Sequence, residues 1–199
     1  MGTLRLVLWV AAGLALIGLA TANFMLGPNV DERSTTLEAE NEPGGPFSLT
    51  DHTGRAVTHE SFAGKHLLVY FGFSTCPDVC PTTLHVISSA LDELGAKAER
   101  LQPLFITIDP ERDTPAVLSD YLDFDRRILG LTGAAAQIEE AAVGYKVFYR
   151  RVEDEGSAMG YTMDHTDIVF LMEPDGGFAT FFTSETSPQE MAKALRKAL

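Results

Sequence analysis

Cysteine is almost missing: two residues in 199, Cys76 and Cys80. A disulfide-stapled secreted scaffold needs several cysteines spread along the chain, and a bridge between residues this close closes too small a loop to stabilise a domain much. Cations are scarce too. Fifteen Lys and Arg stand against 28 Asp and Glu, a formal net charge of −13, which argues against nucleic acid and against an anionic membrane surface as partners. A cationic protein partner remains compatible with that charge. The sequence holds no internal repeat or low-complexity tract, and its length suits one ordinary domain beside one membrane or signal segment.

Long apolar runs are also lacking, with a single exception. Leu6 to about Leu26 is apolar and uncharged, long enough to cross a bilayer as a helix. Arg5 precedes it, and Asp31 and Glu32 follow, so the positive-inside bias places the N-terminus in the cytoplasm and the domain outside. The small residues Ala20-Thr21-Ala22 resemble a signal cleavage site, but the run exceeds a usual signal core, which favours a retained anchor. A myristoylation signal fails at Leu6, where Ser or Thr is required. The expected organisation is therefore an anchor or uncleaved signal over 1–27, an acidic, Gly- and Pro-punctuated linker over 28–46, and a folded domain over 47–199.

Within the domain, FSLTDHTGRAVT reads as two short strands about a turn at Asp51 to Gly54. HLLVYFGFS (66–74) and LQPLFITID (101–109) are continuous apolar runs, the pattern of strands buried on both faces. Leu84, Ile87, Leu91 and Leu94 recur at helical spacing and predict a helix from about Pro81 to Leu94. Thr114 and Pro115 suit the N-cap and first turn of another helix, and AAAQIEEAAVGYK reads as a third. VFYRRV, DIVFLME and FATFFTS are strand-like, with a turn at 174–177 and a last helix from about Pro188. Strands alternating with helices predict an α/β fold with a mixed central sheet flanked by helices.

Chemistry concentrates in FGFSTCPDVCPTT, where strand, cysteine and helix follow one another. That placement lets a helix N-terminus stabilise a thiolate. At i and i+4 the two sulfurs can converge on one ion or, through an irregular Pro-flanked turn, form a disulfide. A third donor, His165, precedes a strand expected beside the cysteine-bearing one; proteins of thioredoxin type usually place a proline there. Two thiolates and an imidazole suit Cu(I), whereas structural zinc would ask for a fourth protein ligand. Plainer readings exist for each element. The cysteines can be a simple disulfide. His52, His59 and His66 read as satisfied residues, His85 lies off the Cys80 face, and Met172 reads as core while Met159 and Met163 offer thioethers. Asp78 and Asp164 read as turn residues that can also tune a thiol or orient the imidazole, and DPERDTP as a loop and helix cap.

The stretches GGPFSLTDHTGRAVT, VYFGFSTCPDVCPTTL, FITIDPERDTPAVLSDYL, GLTG and YTMDHTDIVFLMEPDGGF together resemble the Sco/SenC family of cytochrome oxidase assembly proteins. The resemblance implies a thioredoxin-like fold anchored in the bacterial inner membrane with its domain in the periplasm. It implies copper, as Cu(I) or Cu(II), bound by Cys76, Cys80 and His165, received from an upstream donor and delivered to the dinuclear copper centre of cytochrome c oxidase subunit II. It also implies thiol-disulfide reductase chemistry at Cys76 and Cys80, or redox sensing without copper transfer. A peroxiredoxin-type site is disfavoured, because no proline occupies YFGFST before Cys76.

Overall fold

The computed structural model describes residues 42–154, 156 and 159–199. The expected anchor and most of the linker lie outside them, and among the described residues no helix is long and apolar enough to cross a membrane. The domain opens with the hairpin β1 (Ser48–Asp51) and β2 (Ala56–Thr58). Asp51 shapes its turn by accepting from the amides of Thr53 and Arg55 and from the Thr53 hydroxyl, and Gly54 takes the positive φ of 87° that the turn requires.

β3 (His66–Gly72) follows, then helix α1 (Val79–Leu94), β4 (Leu101–Thr107), α2 (Pro115–Tyr121), β5 (Leu129–Thr132) and α3 (Ala135–Gly144). The chain closes with β6 (Tyr149–Glu153), β7 (Tyr161–His165), β8 (Ile168–Met172), β9 (Phe178–Thr183) and α4 (Pro188–Ala198). Seven strands form one sheet in the order β2-β1-β5-β4-β3-β8-β9, while β6 and β7 pair only with each other. β3 runs parallel to β4 and antiparallel to β8. Every residue of β3 is buried, as its unbroken apolar run predicts for an inner strand. Pro103 is tolerated in β4 because pairing with β5 begins only at Leu104.

α1 starts two residues earlier than its apolar periodicity suggests, and buries Cys80, Thr83, Leu84, Ile87, Ala90, Leu91 and Leu94. It packs against α4, whose Arg196 donates to the Glu93 carbonyl at the end of α1. α4 begins on a capping box, Ser187 with Glu190, and carries Pro188 in its first turn. Thr114 caps α2 through the Val117 amide, as its place before Pro115 predicts. The fold is the expected α/β sandwich around a mixed sheet. The β6–β7 ribbon is the departure: the sequence reading ran YTMDH into the approach to β8, whereas it forms a separate strand.

Candidate functional site

Phe71, Gly72 and Phe73 carry the chain from the end of β3 into a tight turn, closed by the Cys76 amide donating to the Phe73 carbonyl. α1 then begins with Asp78 as its N-cap, yet the Asp78 side chain makes no capping bond. Cys76 caps the helix in its place: its sulfur accepts from the Cys80 amide at 3.4 Å and from the Asp78 amide. Helix N-terminal N–H groups have no intrahelical partner, and their dipoles favour a negative atom. Cys80, one turn further, is wholly buried and partly buried Cys76 packs on the core beside it. Both thiols are free.

The β7 ribbon brings in the third group. His165 Nε2 lies 3.6 Å from Cys80 Sγ, and Nδ1 lies 2.9 Å from the Thr166 carbonyl oxygen. A carbonyl only accepts, so Nδ1 carries a proton and Nε2 is the nitrogen turned toward the sulfurs. Phe73 and Tyr70 hold the imidazole edge-on, with ring centroids 5.9 and 6.4 Å away. Bonds of the length zinc makes, about 2.3 Å to sulfur and 2.0–2.1 Å to nitrogen, separate their donor atoms by about 3.6 Å at a tetrahedral angle and about 3.8 Å at the trigonal angle of a three-donor site. The Cys80–His165 spacing fits such an ion. Among the described residues no three His, Cys, Asp or Glu side chains stand together as a preformed metal-holding group; the measured contact is the one between Cys80 and His165.

The electrostatics divide the two thiols. A hydrogen bond from Cys80 is the largest influence on Cys76 and, with His165 and the two amides outweighing burial, holds the Cys76 thiol down to about 4. The same bond, reinforced by burial, pushes the Cys80 thiol well above the ordinary range. One proton is thus shared by the pair and rests on Cys80. Burial works to lower His165, but its bonds to Cys76 and the Thr166 carbonyl, and the charge on Cys76, raise it overall.

A supporting layer lies behind these groups. Asp113, fully buried, accepts from the Ser74 amide at 3.0 Å, from the Ser74 hydroxyl and from the Thr107 hydroxyl at 2.6 Å. It therefore fixes the turn that leads into Cys76. The DPERDTP stretch does more than turn and cap a helix, and its buried second aspartate is the part that composition alone did not flag. Tyr70 donates to Asp167 at 3.0 Å, and burial followed by the charges of Cys80 and Asp167 raises its hydroxyl. Tyr121 of α2 faces the same thiols: after burial, the charges of Cys80 and Cys76 raise it.

The other candidates fall elsewhere. His52 accepts from the Gly130 amide, His59 stacks edge-on to Phe47, and buried His66 pairs with Glu173 at the opposite end of β3. His85 is exposed. Met172 is core, and Met163 packs partly against it. Asp164 pairs with Arg150, while the Thr166 carbonyl, rather than an aspartate, orients His165. Asp78 acts on Cys76 through its backbone N–H.

The chain is similar in sequence and fold to known proteins. ScoI of Bradyrhizobium japonicum, solved with copper bound, is 43% identical and superposes with a TM-score of 0.73, covering 79% of this chain and 99% of that one. Yeast Sco1, also solved with copper bound, is 38% identical with a TM-score of 0.71, over 78% of this chain and 87% of that one. The human mitochondrial protein SCO1 homolog is 39% identical over 177 residues, 82% of this chain but 58% of that longer protein. The SCO1/SenC family model matches residues 35–199, and with relatives of this identity along the thiol-bearing domain, the chain belongs to the SCO1/SenC family.

Proposed function

We propose that the protein binds copper through Cys76, Cys80 and His165 and passes it to the dinuclear copper centre of cytochrome c oxidase subunit II. It does so from the periplasmic side of the bacterial inner membrane, held there by the N-terminal apolar segment. The observation that carries the reading is the pairing of Cys80 Sγ with His165 Nε2 at 3.6 Å while Nδ1 is committed to a carbonyl. Thiol exchange needs no such histidine; a copper site does. Copper is the cargo, and two thiolates with one imidazole are donors of the softness that Cu(I) favours. The copper-bound structures of the bacterial and yeast relatives support the assignment.

The chain's own groups prepare the site. Cys76 is ionised ahead of binding, the Thr166 carbonyl presents Nε2, and Phe73 and Tyr70 fix the ring. Binding displaces the proton that Cys80 keeps, so uptake is coupled to proton release. The test is competition with a Cu(I) chelator on the detergent-solubilised full chain. One copper per chain is expected. Altering outer-shell partners of a metal typically costs 10–100-fold in affinity, so His165→Ala should cost at least about 100-fold; equal affinity removes the histidine from the site.

The unequal thiols favour a second reaction in the same cycle. Cys76 thiolate attacks a disulfide sulfur in the acceptor, releasing one acceptor thiolate and leaving a mixed disulfide. Cys80 then gives up its proton and attacks Cys76 Sγ, releasing the second. The acceptor gains two electrons and this chain becomes the Cys76–Cys80 disulfide, to be reduced again by an upstream dithiol. A mixed disulfide trapped with Cys80→Ser supports this step, and its absence with an oxidised acceptor refutes it.

A further inference from the structure

His165 is carried by a ribbon that shares no strand pairing with the main sheet, so something other than the ladder must set its distance from the thiols. The ribbon's far end is held by an unusual stack. The Tyr161 ring lies between two guanidinium groups, Arg112 at 3.6 Å and Arg151 at 3.7 Å from its centroid. Arg112 also donates through Nη1 to the Tyr161 carbonyl at 3.1 Å, and the Tyr161 hydroxyl donates to Asp109 at 2.9 Å. Arg112 is itself paired through Nε with Asp109. Arg151 reaches back from β6 to Glu111 at 3.5 Å.

These contacts all land on the loop 109–113. The other end of that loop is Asp113, which holds Ser74 and so the turn into Cys76. One short segment therefore grips the cysteine turn with its last residue and the histidine ribbon with the residues before it. We propose that Arg112 and Tyr161 are positioning residues that hold His165 against the cysteines, so that the stack sets the fraction of molecules in which the third ligand is docked. The inference rests on the copper reading above. Apparent affinity scales with the population of the binding-competent form. Losing two cations from one ring lowers the docking equilibrium constant by about tenfold, and with it the docked population by up to about tenfold.

The test uses the full-length protein in detergent and Cu(I) with a competing chelator. Tyr161→Leu, which removes the stack and the hydroxyl, should weaken copper by more than about threefold and up to about tenfold, less than His165→Ala does. Tyr161→Phe, which keeps the stack, should stay within about threefold of the parent. In a His165→Ala background Tyr161→Leu should cost nothing further, because the stack acts only through the histidine. Without metal, amide exchange at Met163 to His165 should quicken in Tyr161→Leu while that of β3 stays unchanged. Arg151→Gln, which removes the solvent-facing cation alone, should move both readouts the same way, less far. Undiminished copper binding in Tyr161→Leu, or an equal loss with and without His165, overturns the proposal. If instead His165→Ala binds copper like the parent, it is the copper site assignment that fails.

Discussion

Alkylation of Cys76 offers the sharpest check on the electrostatics of the site, because the thiol and an unstructured cysteine peptide should respond to pH in different ways. With Cys76 held down to about 4, its thiolate fraction is already near nine-tenths at pH 5 and changes little up to pH 8. An ordinary thiol near 8.5 is ionised to about 0.03% at pH 5 and about a quarter at pH 8, a rise of several hundredfold. Nucleophilicity falls with pKa at a Brønsted slope of about 0.4–0.5, so the Cys76 thiolate is intrinsically about 100-fold slower. The two effects combine to make Cys76 about 30-fold faster than the peptide at pH 5, about 3-fold slower at pH 7 and about 25-fold slower at pH 8. The crossing of the two profiles, rather than either rate, is the signature. Iodoacetamide labelling of the reduced, metal-free protein with peptide mapping reads both cysteines at once, and Cys80, buried and holding its proton, should remain unlabelled. Cys80→Ala removes the largest single influence on Cys76, so its thiol should rise and regain a pH-dependent rate between 5 and 8. A Cys76 rate that climbs in parallel with the peptide, or labelling shared equally between the thiols, would refute the account of a shared proton.

Two further substitutions probe the layer behind the sulfurs. Asp113→Ala strands the Ser74 amide and the Ser74 and Thr107 hydroxyls in a buried place, so it should lower unfolding free energy by about 3–5 kcal/mol. Asp113→Asn should cost only about 1 kcal/mol, because the Ser74 hydroxyl can turn to accept from the new amide while the other oxygen keeps its two donors; denaturant unfolding under reducing conditions separates the two, and equal losses would contradict the network. At Gly72 a Cβ would stand 2.8 Å from the Phe105 ring and 2.9 Å from Cys80 Sγ. Gly72→Ala should therefore destabilise by about 1–3 kcal/mol of overpacking and weaken copper binding by displacing Cys80, whereas unchanged stability would mean that the ring and sulfur yield without cost.

What was legible in the sequence, and what was not, follows from how far each signal reaches along the chain. The buried strand 66–72, the capped starts of the helices at Pro115 and Pro188 and the turn at 174–177 are written in neighbouring residues, where periodicity and cap chemistry act. Cys76 and Cys80 were visible for the same reason, and His165 because it directly precedes a strand that had to lie beside them, as Val169 opposite Tyr70 bears out. Asp113 and Tyr161 carry no such local mark. Asp113 lies in a stretch that reads as a loop and helix cap, and Tyr161 stands out by nothing in its neighbours, until the fold closes loop 109–113 over Ser74 on one side and the ribbon on the other. Their role depends on contacts across 39 and 49 residues of chain, which no window on the sequence contains. The proposed copper donors are thus encoded locally and their spacing is encoded at long range. Substitutions at the second kind of position should therefore alter how tightly metal is held while leaving the ligand set intact.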